Sequence, residues 1–231
     1  MNARATRNTG QINEGTTMMR FTVFGATGQV GRRVVAEALT RGHDVTAVAR
    51  TSARTAELPR GARPRTGDAS DAATVAQLGA GQDVVIGATR PPAGRERDLV
   101  STAKALVGGL AGTGTRLLLV GGAATLTVPG DGGTTVLDDP AFLPVDYRDI
   151  ALACAEQLEV CRGETTVDWA YLSPPAMLAP GARTGTYRVG GDELLVDDAG
   201  RSAISMEDLA VALLDEAERP RQHRQRFTVA Y

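Results

Sequence analysis

The chain has 231 residues, 42% of them hydrophobic and 23% charged, which suits one domain with a buried core and excludes a chain that stays unfolded. Its 25 basic and 27 acidic residues leave a formal net charge of −2, so no global positive field draws it to nucleic acid or to an anionic membrane. All but one of the basic residues are arginine; Lys104 is the exception, and it leaves a catalytic lysine one place to be.

Residues 1–17 are polar and without period and read as a mobile extension ahead of a domain over 18–231. Beyond them, short apolar runs alternate with segments of helical period. Strands are predicted near 20–24, 44–49, 62–66, 83–87, 115–121 and 166–172, and helices near 28–41, 71–78, 95–111 and 145–162. Strand followed by helix, repeated, predicts an α/β fold: one doubly wound, mostly parallel sheet of Rossmann-like type. The first helix groups Val30, Val34, Val35, Ala38 and Leu39 on one side, with Arg32, Arg33, Glu37 and Arg41 away from it, and Gly42 ends it. The fourth places Tyr147, Ala151, Cys154, Leu158 and Cys161 on one buried stripe. Residues 180–200, rich in glycine and turn formers, read as a hairpin-bearing insertion, and substrate-side loops are expected at 122–142 and 174–200. Ser205 and Asp208 form an N-cap pair opening a helix through Leu209, Leu213 and Leu214 that stops at Pro220, and a strand over Arg226–Ala230 closes the domain.

The motif that carries chemistry follows the first of these strands. Gly25-Ala26-Thr27-Gly28-Gln29-Val30-Gly31 runs straight into the first helix, the strand–turn–helix setting that gives such a glycine spacing its meaning. Gly25 permits the turn, Gly28 lets the backbone approach a diphosphate, and Gly31 lets the helix lie close on the sheet. The positive end of the helix dipole then faces the phosphates. A pyridine dinucleotide is the expected cofactor. The next strand ends in Arg50 with Arg54 beyond it, where an acidic residue would favour NAD, so NADP is expected with NAD possible; Arg32 or Arg33 could share the 2′-phosphate. Asp68 and Ala69 are placed for the adenine edge, with capping of the following helix as the alternative role for Asp68. Ala88, Thr89 and Arg90 stand at the carboxyl edge of the sheet where cofactors cross.

Cys154 and Cys161 lie about 10 Å apart along a helix, too far to bridge, and read as core thiols. His43 and His223 form no cluster with metal-ligand spacing, so no metal is expected. No apolar run reaches the roughly 18 residues that span a bilayer, and 1–17 lacks the apolar stretch of a secretory signal. A cytoplasmic setting is expected.

Four blocks carry a family resemblance: FGATGQVGRRVVAEALTRGHDVTAVAR (24–50), VGGAATL (120–126), the stretch from DWAYLSPPAMLAPGARTGTYRVGG onward (168–216) and RFTVAY (226–231). Together they resemble the atypical short-chain dehydrogenase/reductases with an NAD(P)H-binding domain, and within them the NADH-flavin reductase group. The resemblance implies NAD(P)H binding by the first block, with the loops after Val120 and after Leu172, including Ser173 and Pro174, flanking the nicotinamide. Classical members use a tyrosine with a lysine four residues on to protonate a carbonyl. Here Tyr147 has Ala151 at that position, and Lys104 has Val100 at the matching distance before it.

Hydride transfer to a flavin or quinone asks less of the protein than carbonyl reduction, because the acceptor is already electron-poor. An NADPH-dependent oxidoreductase acting on a soluble small-molecule acceptor, with flavin a possible substrate, is the leading expectation. Thr125 and Tyr147 are the catalytic candidates and Met177 and Leu178 the apolar cover. Trp169 and Tyr171 read as core. Two other readings remain: a reductase, epimerase or dehydratase step on a small biosynthetic intermediate, and a non-enzymatic NADP-binding redox sensor. A homodimer is possible.

Overall fold

The structure, a computed structural model, describes residues 6–9, 17–130 and 132–231. In chain order its strands are β1 (Thr6–Thr9), β2 (Arg20–Phe24), β3 (Asp44–Ala49), β4 (Arg63–Thr66), β5 (Val84–Gly87), β6 (Arg116–Val120), β7 (Trp169–Ser173), β8 (Met177–Ala179), β9 (Thr186–Gly190), β10 (Ala203–Ser205) and β11 (Gln225–Ala230). The helices are α1 (Gln29–Thr40), α2 (Ala72–Gly79), α3 (Asp98–Leu110), α4 (Arg148–Arg162) and α5 (Met206–Glu218). Nine strands form one sheet in the order β1-β9-β11-β7-β6-β5-β2-β3-β4. From β11 to β4 every pairing is parallel; β9 and β1 join antiparallel at one edge.

The inner strands are buried on both faces, so they read as continuous apolar runs rather than alternating ones. Leu118 points to the face covered by α1 and α5, whereas Leu117 and Leu119 point to the face where Val75, Leu106 and Leu158 of α2, α3 and α4 pack. Each such leucine contributes about 1.5–3 kcal/mol by leaving water. The outer edge is β4, exposed along its length and guarded by Arg63, Pro64 and Arg65, residues that discourage further strand pairing.

The doubly wound, mostly parallel central sheet agrees with the sequence reading; four local features do not. Thr6–Thr9, inside the segment expected to be a mobile extension, pairs antiparallel with β9; residues 1–5 and 10–16 lie outside the described residues. Residues 180–200 are not a self-paired hairpin, because β9 finds its partner in β11, a strand about 40 residues ahead. Tyr147 leaves the predicted buried stripe: the chain makes a 3-10 turn over Val145–Tyr147 before α4 begins, and the ring is 51% exposed. Glu37 is buried on α1, since α5 covers the side that period alone assigns to water.

Loops 122–142 and 174–200 pack on each other through a small core of Leu126, Val136 and Leu194. Arg226 on β11 ties them down: its guanidinium donates to Thr125 Oγ1 at 2.6 Å and pairs with Asp192.

Candidate functional site

Chain order reverses direction between β2 and β5: β3 and β4 build outward on one side of β2, and the chain then returns to add β5 on the other. Ligands of open α/β sheets sit at the carboxyl ends of the strands at such a point. Here it opens a cleft of about 680 Å³.

The glycine turn forms its floor. Gly25 has φ +79°, and a Cβ there would lie 2.4 Å from the Ala88 carbonyl oxygen, so β2 and β5 are drawn together at the switch point only if residue 25 has no side chain. A Cβ on Gly31 would lie 2.1 Å from the Gly25 carbonyl oxygen; its close contact is with the turn itself, not with the sheet as expected. Gly28 N–H donates to Gly25 O at 2.9 Å, closing the turn. Gly28 is also the N-cap of α1 and offers no side-chain acceptor. By contrast Asp71 caps α2 and Ser205 caps α5. The first-turn N–H groups of α1, which have no partner within a helix, therefore open onto the cleft without a capping side chain.

Of the residues assigned to a cofactor, Gly25, Thr27, Gly28, Gln29, Val30, Arg50, Arg54, Asp68, Ala69, Ala88, Thr89 and Arg90 line this one cleft. Gly31 lies beneath it. Ser173 and Pro174 are buried and do not line it; Ser173 accepts from Thr228 Oγ1 through its carbonyl oxygen at 2.8 Å. Arg33 is taken up by Glu207 at 2.6 Å and faces α5. Arg32 bonds the Thr27 carbonyl oxygen at 3.2 Å. Asp68 does not cap α2: its Oδ1 accepts from Ser70 N–H at 2.9 Å and Ser70 Oγ at 2.8 Å, and Asp71 takes the capping role with Ala73 N–H at 3.0 Å.

Neither catalytic candidate lines the cleft. Thr125 is held by Arg226 in the packed loops, and Tyr147 stands one helical turn before Ile150, which does line it. Leu178 reaches the cleft, while Met177 points the other way along β8 and is 63% exposed.

At the end beyond β5 sequence reading expected Leu178 and the loop after Val120, and missed Ile150, Cys154 and Met206. Val120, Gly121, Ile150, Cys154, Leu178 and Met206 form an apolar surface there. The signal existed, since Ile150 and Cys154 are four apart on α4, but a helical stripe cannot say whether it faces a core or a cavity. Tyr171, in the core as expected, supports this surface from below. Its hydroxyl accepts from Gly122 N–H at 3.3 Å and lies 3.0 Å from Cys154 O and 3.1 Å from Gln157 Oε1, to which it donates. A Cβ on Gly121 would fall 1.8 Å from the Tyr171 ring. Burial pushes the Tyr171 hydroxyl well above its ordinary value and the Cys154 thiol up to about 11. Both stay protonated at neutral pH, as core groups would.

Among the described residues no cluster of His, Cys, Asp or Glu could hold a metal, and no helix is long and apolar enough to cross a membrane.

Residues 25–220 match the family described as NAD(P)H-binding. The chain is 35% identical over 213 residues to the uncharacterized protein YwnB of Bacillus subtilis, covering 91% of this chain and 98% of YwnB. Among solved structures, a Burkholderia pseudomallei protein provisionally named as exported is 40% identical, with TM-score 0.82 over 93% of this chain and 100% of the other. A Bacteroides thetaiotaomicron protein provisionally named an epimerase is 34% identical, with TM-score 0.83 over 93% and 98%. A Streptococcus pneumoniae protein provisionally named an NADH-flavin reductase is 29% identical, with TM-score 0.79 over 92% and 99%. An uncapped helix at a glycine turn, set at the switch point of a parallel sheet and matched over this length, places the chain in the NAD(P)H-binding family.

Proposed function

We propose that this protein is an NADPH-dependent oxidoreductase that passes hydride to a soluble acceptor of the flavin or quinone kind. The observation that carries the reading is the pairing of an uncapped α1 N-terminus with Arg50 and Arg54 in the same cleft. Main-chain N–H groups of the first turn suit a diphosphate, and the turn fits it because residues 25 and 28 carry no side chain. Arg50 and Arg54, after β3, suit a 2′-phosphate, and no carboxylate stands at the end of that strand to prefer a ribose hydroxyl. Bound there, a reduced nicotinamide supplies a hydride, which the acceptor takes up with one proton from water.

The protein's share is orientation and exclusion of water. Val120 and Gly121 line the far end, and Ile150, Leu178 and Met206 provide apolar cover that suits a planar acceptor. Chain groups able to move a proton are scarce at that end, which favours hydride transfer over epimerisation or dehydration. The carboxylates lining the cleft are Asp68, bonded to Ser70, and Asp98, paired with Arg95 at 2.7 Å. Tyr147 lies outside the lining.

Calorimetric titration with NADPH and NADH side by side tests the cofactor, and an acceptor screen following oxidation at 340 nm tests the reaction. Tighter binding of NADPH, with oxidation that depends on added flavin or quinone, is the expected result. Heat from neither nucleotide would sink the proposal, and binding without turnover of any acceptor would favour a sensor.

A further inference from the structure

Arginines line the cleft at both ends, and their pairing differs. Arg54 is held by Glu57 at 2.9 and 3.1 Å, and Arg95 by Asp98 at 2.7 Å. Arg50 and Arg90 have guanidinium groups with no hydrogen bond or ion pair among the described residues. Arg50 stands after β3, at the adenosine end of the reading above. Arg90 stands after β5, on the other side of the glycine turn.

Arg90 lines the cleft together with Val120, Gly121, Ile150 and Cys154. Its charge acts on the Cys154 thiol of α4, and Cys154 packs where a Cβ of Gly122 would be, 2.8 Å away, just past the end of β6. In the sheet β5 lies between β2 and β6, so Arg90, just past the end of β5, stands between the glycine turn after β2 and the apolar lining that begins at Val120 and Gly121 after β6. A free cation beside an apolar wall has an obvious complement: a molecule with an apolar body and one anionic group.

We propose that Arg90 is a specificity-determining residue that anchors an anionic group of the acceptor, a phosphate or a carboxylate, while the apolar end of the cleft takes its planar body. This inference rests on the cofactor and acceptor reading given above and narrows it: anionic acceptors are preferred to their neutral counterparts.

The test measures binding to the NADP-loaded protein, so it does not depend on turnover. Two matched pairs are titrated by fluorescence or calorimetry: riboflavin 5′-phosphate against riboflavin, and 1,4-naphthoquinone-2-carboxylate against 1,4-naphthoquinone. The expected result is about tenfold tighter binding of the anionic member in at least one pair, and the pair that responds identifies phosphate or carboxylate. In Arg90→Gln the two members of that pair bind equally, in Arg90→Lys most of the preference returns, and NADP affinity stays within about twofold. Arg90 is exposed and unpaired, so neither variant is expected to unfold. Equal affinity within both pairs in the parent protein overturns the proposal, as does failure of every anionic probe to bind. Weakened NADP binding in Arg90→Gln with the acceptor preference intact also overturns it and returns Arg90 to the cofactor. A preference that depends on Arg90 without turnover of either acceptor keeps the anion site and removes the oxidoreductase reading.

Discussion

Arg50 and Arg54 share a wall of the cleft, but only Arg50 is free. A free guanidinium gains a full charge-assisted contact with a 2′-phosphate, worth about 1.5–3 kcal/mol. Arg50→Ala should therefore weaken NADPH by about 10- to 100-fold and leave NADH nearly unchanged, as titration of both nucleotides would show; an equal loss for both would remove the 2′-phosphate assignment. Arg54 is different, because Glu57 holds it in a two-point pair and the arginine in turn keeps the Glu57 carboxyl below its ordinary value. The pair is exposed and worth little by itself, yet the phosphate must compete with Glu57 for the same guanidinium. Glu57→Gln is expected to tighten NADPH a few-fold with no change for NADH, measured by the same titration. Weaker NADPH binding in that variant would mean that Glu57 orients Arg54 for the phosphate instead of competing for it.

At the scale of elements, the loop joining β6 to the following segment takes its shape from Tyr171 on β7. Gly121 must be glycine because the ring occupies the space of its side chain, and Gly122 N–H has the Tyr171 hydroxyl as its acceptor. Tyr171→Phe keeps the ring and removes that acceptor and the donor to Gln157. A cost of about 1–3 kcal/mol in denaturant unfolding is expected, together with a raised acceptor KM at unchanged NADPH affinity; a variant that lost stability alone would make Tyr171 purely structural. None of this network was legible in the sequence, which placed Tyr171 in the core and could go no further. The parallel strands and α1 were legible because burial on both sheet faces writes unbroken apolar runs such as Val84-Val85-Ile86. The glycine turn was legible because three positions there exclude a Cβ or close a tight bend. β9 was not, since its pairing is decided by β11, remote in sequence, and its glycine-rich flanks look like turns. Thr125 shows the same limit: a hydroxyl after two glycines looks available until Arg226, 101 residues on, is seen to bond it. The charges of α1 misled for a related reason, because period separates polar from apolar faces but does not reveal that α5 covers the polar one.

That covering helix gives the whole molecule a buried charge network. Glu37 on α1 accepts from Arg41 at 2.8 Å and from Arg183 at two points of 2.7 Å, and Arg41 also pairs with Asp215 at 2.8 Å and Glu218 at 3.1 Å on α5. Tyr187 of β9 donates to Asp215 at 2.6 Å, and His43 meets Glu218 at 2.9 Å. One network thus clamps α1, α5, the segment before β9 and the sheet. Burial alone would raise the Glu37 carboxyl, but hydrogen bonds from Arg183 and Arg41, with their charges, outweigh it and hold the group below its ordinary 4.5. A carboxylate depressed in the folded state stabilises fully above its unfolded value, and that contribution is lost as pH falls through the lower folded value. Glu37→Gln should cost about 3 kcal/mol near pH 7, since it leaves two arginines short of a buried partner. The gap between parent and variant should hold down to about pH 5 and narrow steadily below 4.5, where the parent also loses the charge. Denaturant unfolding of both proteins between pH 7 and pH 3 measures it. A gap that stays constant across that range would mean that Glu37 acts by filling space between α1 and α5, and the network would then owe its stability to packing and not to ionisation.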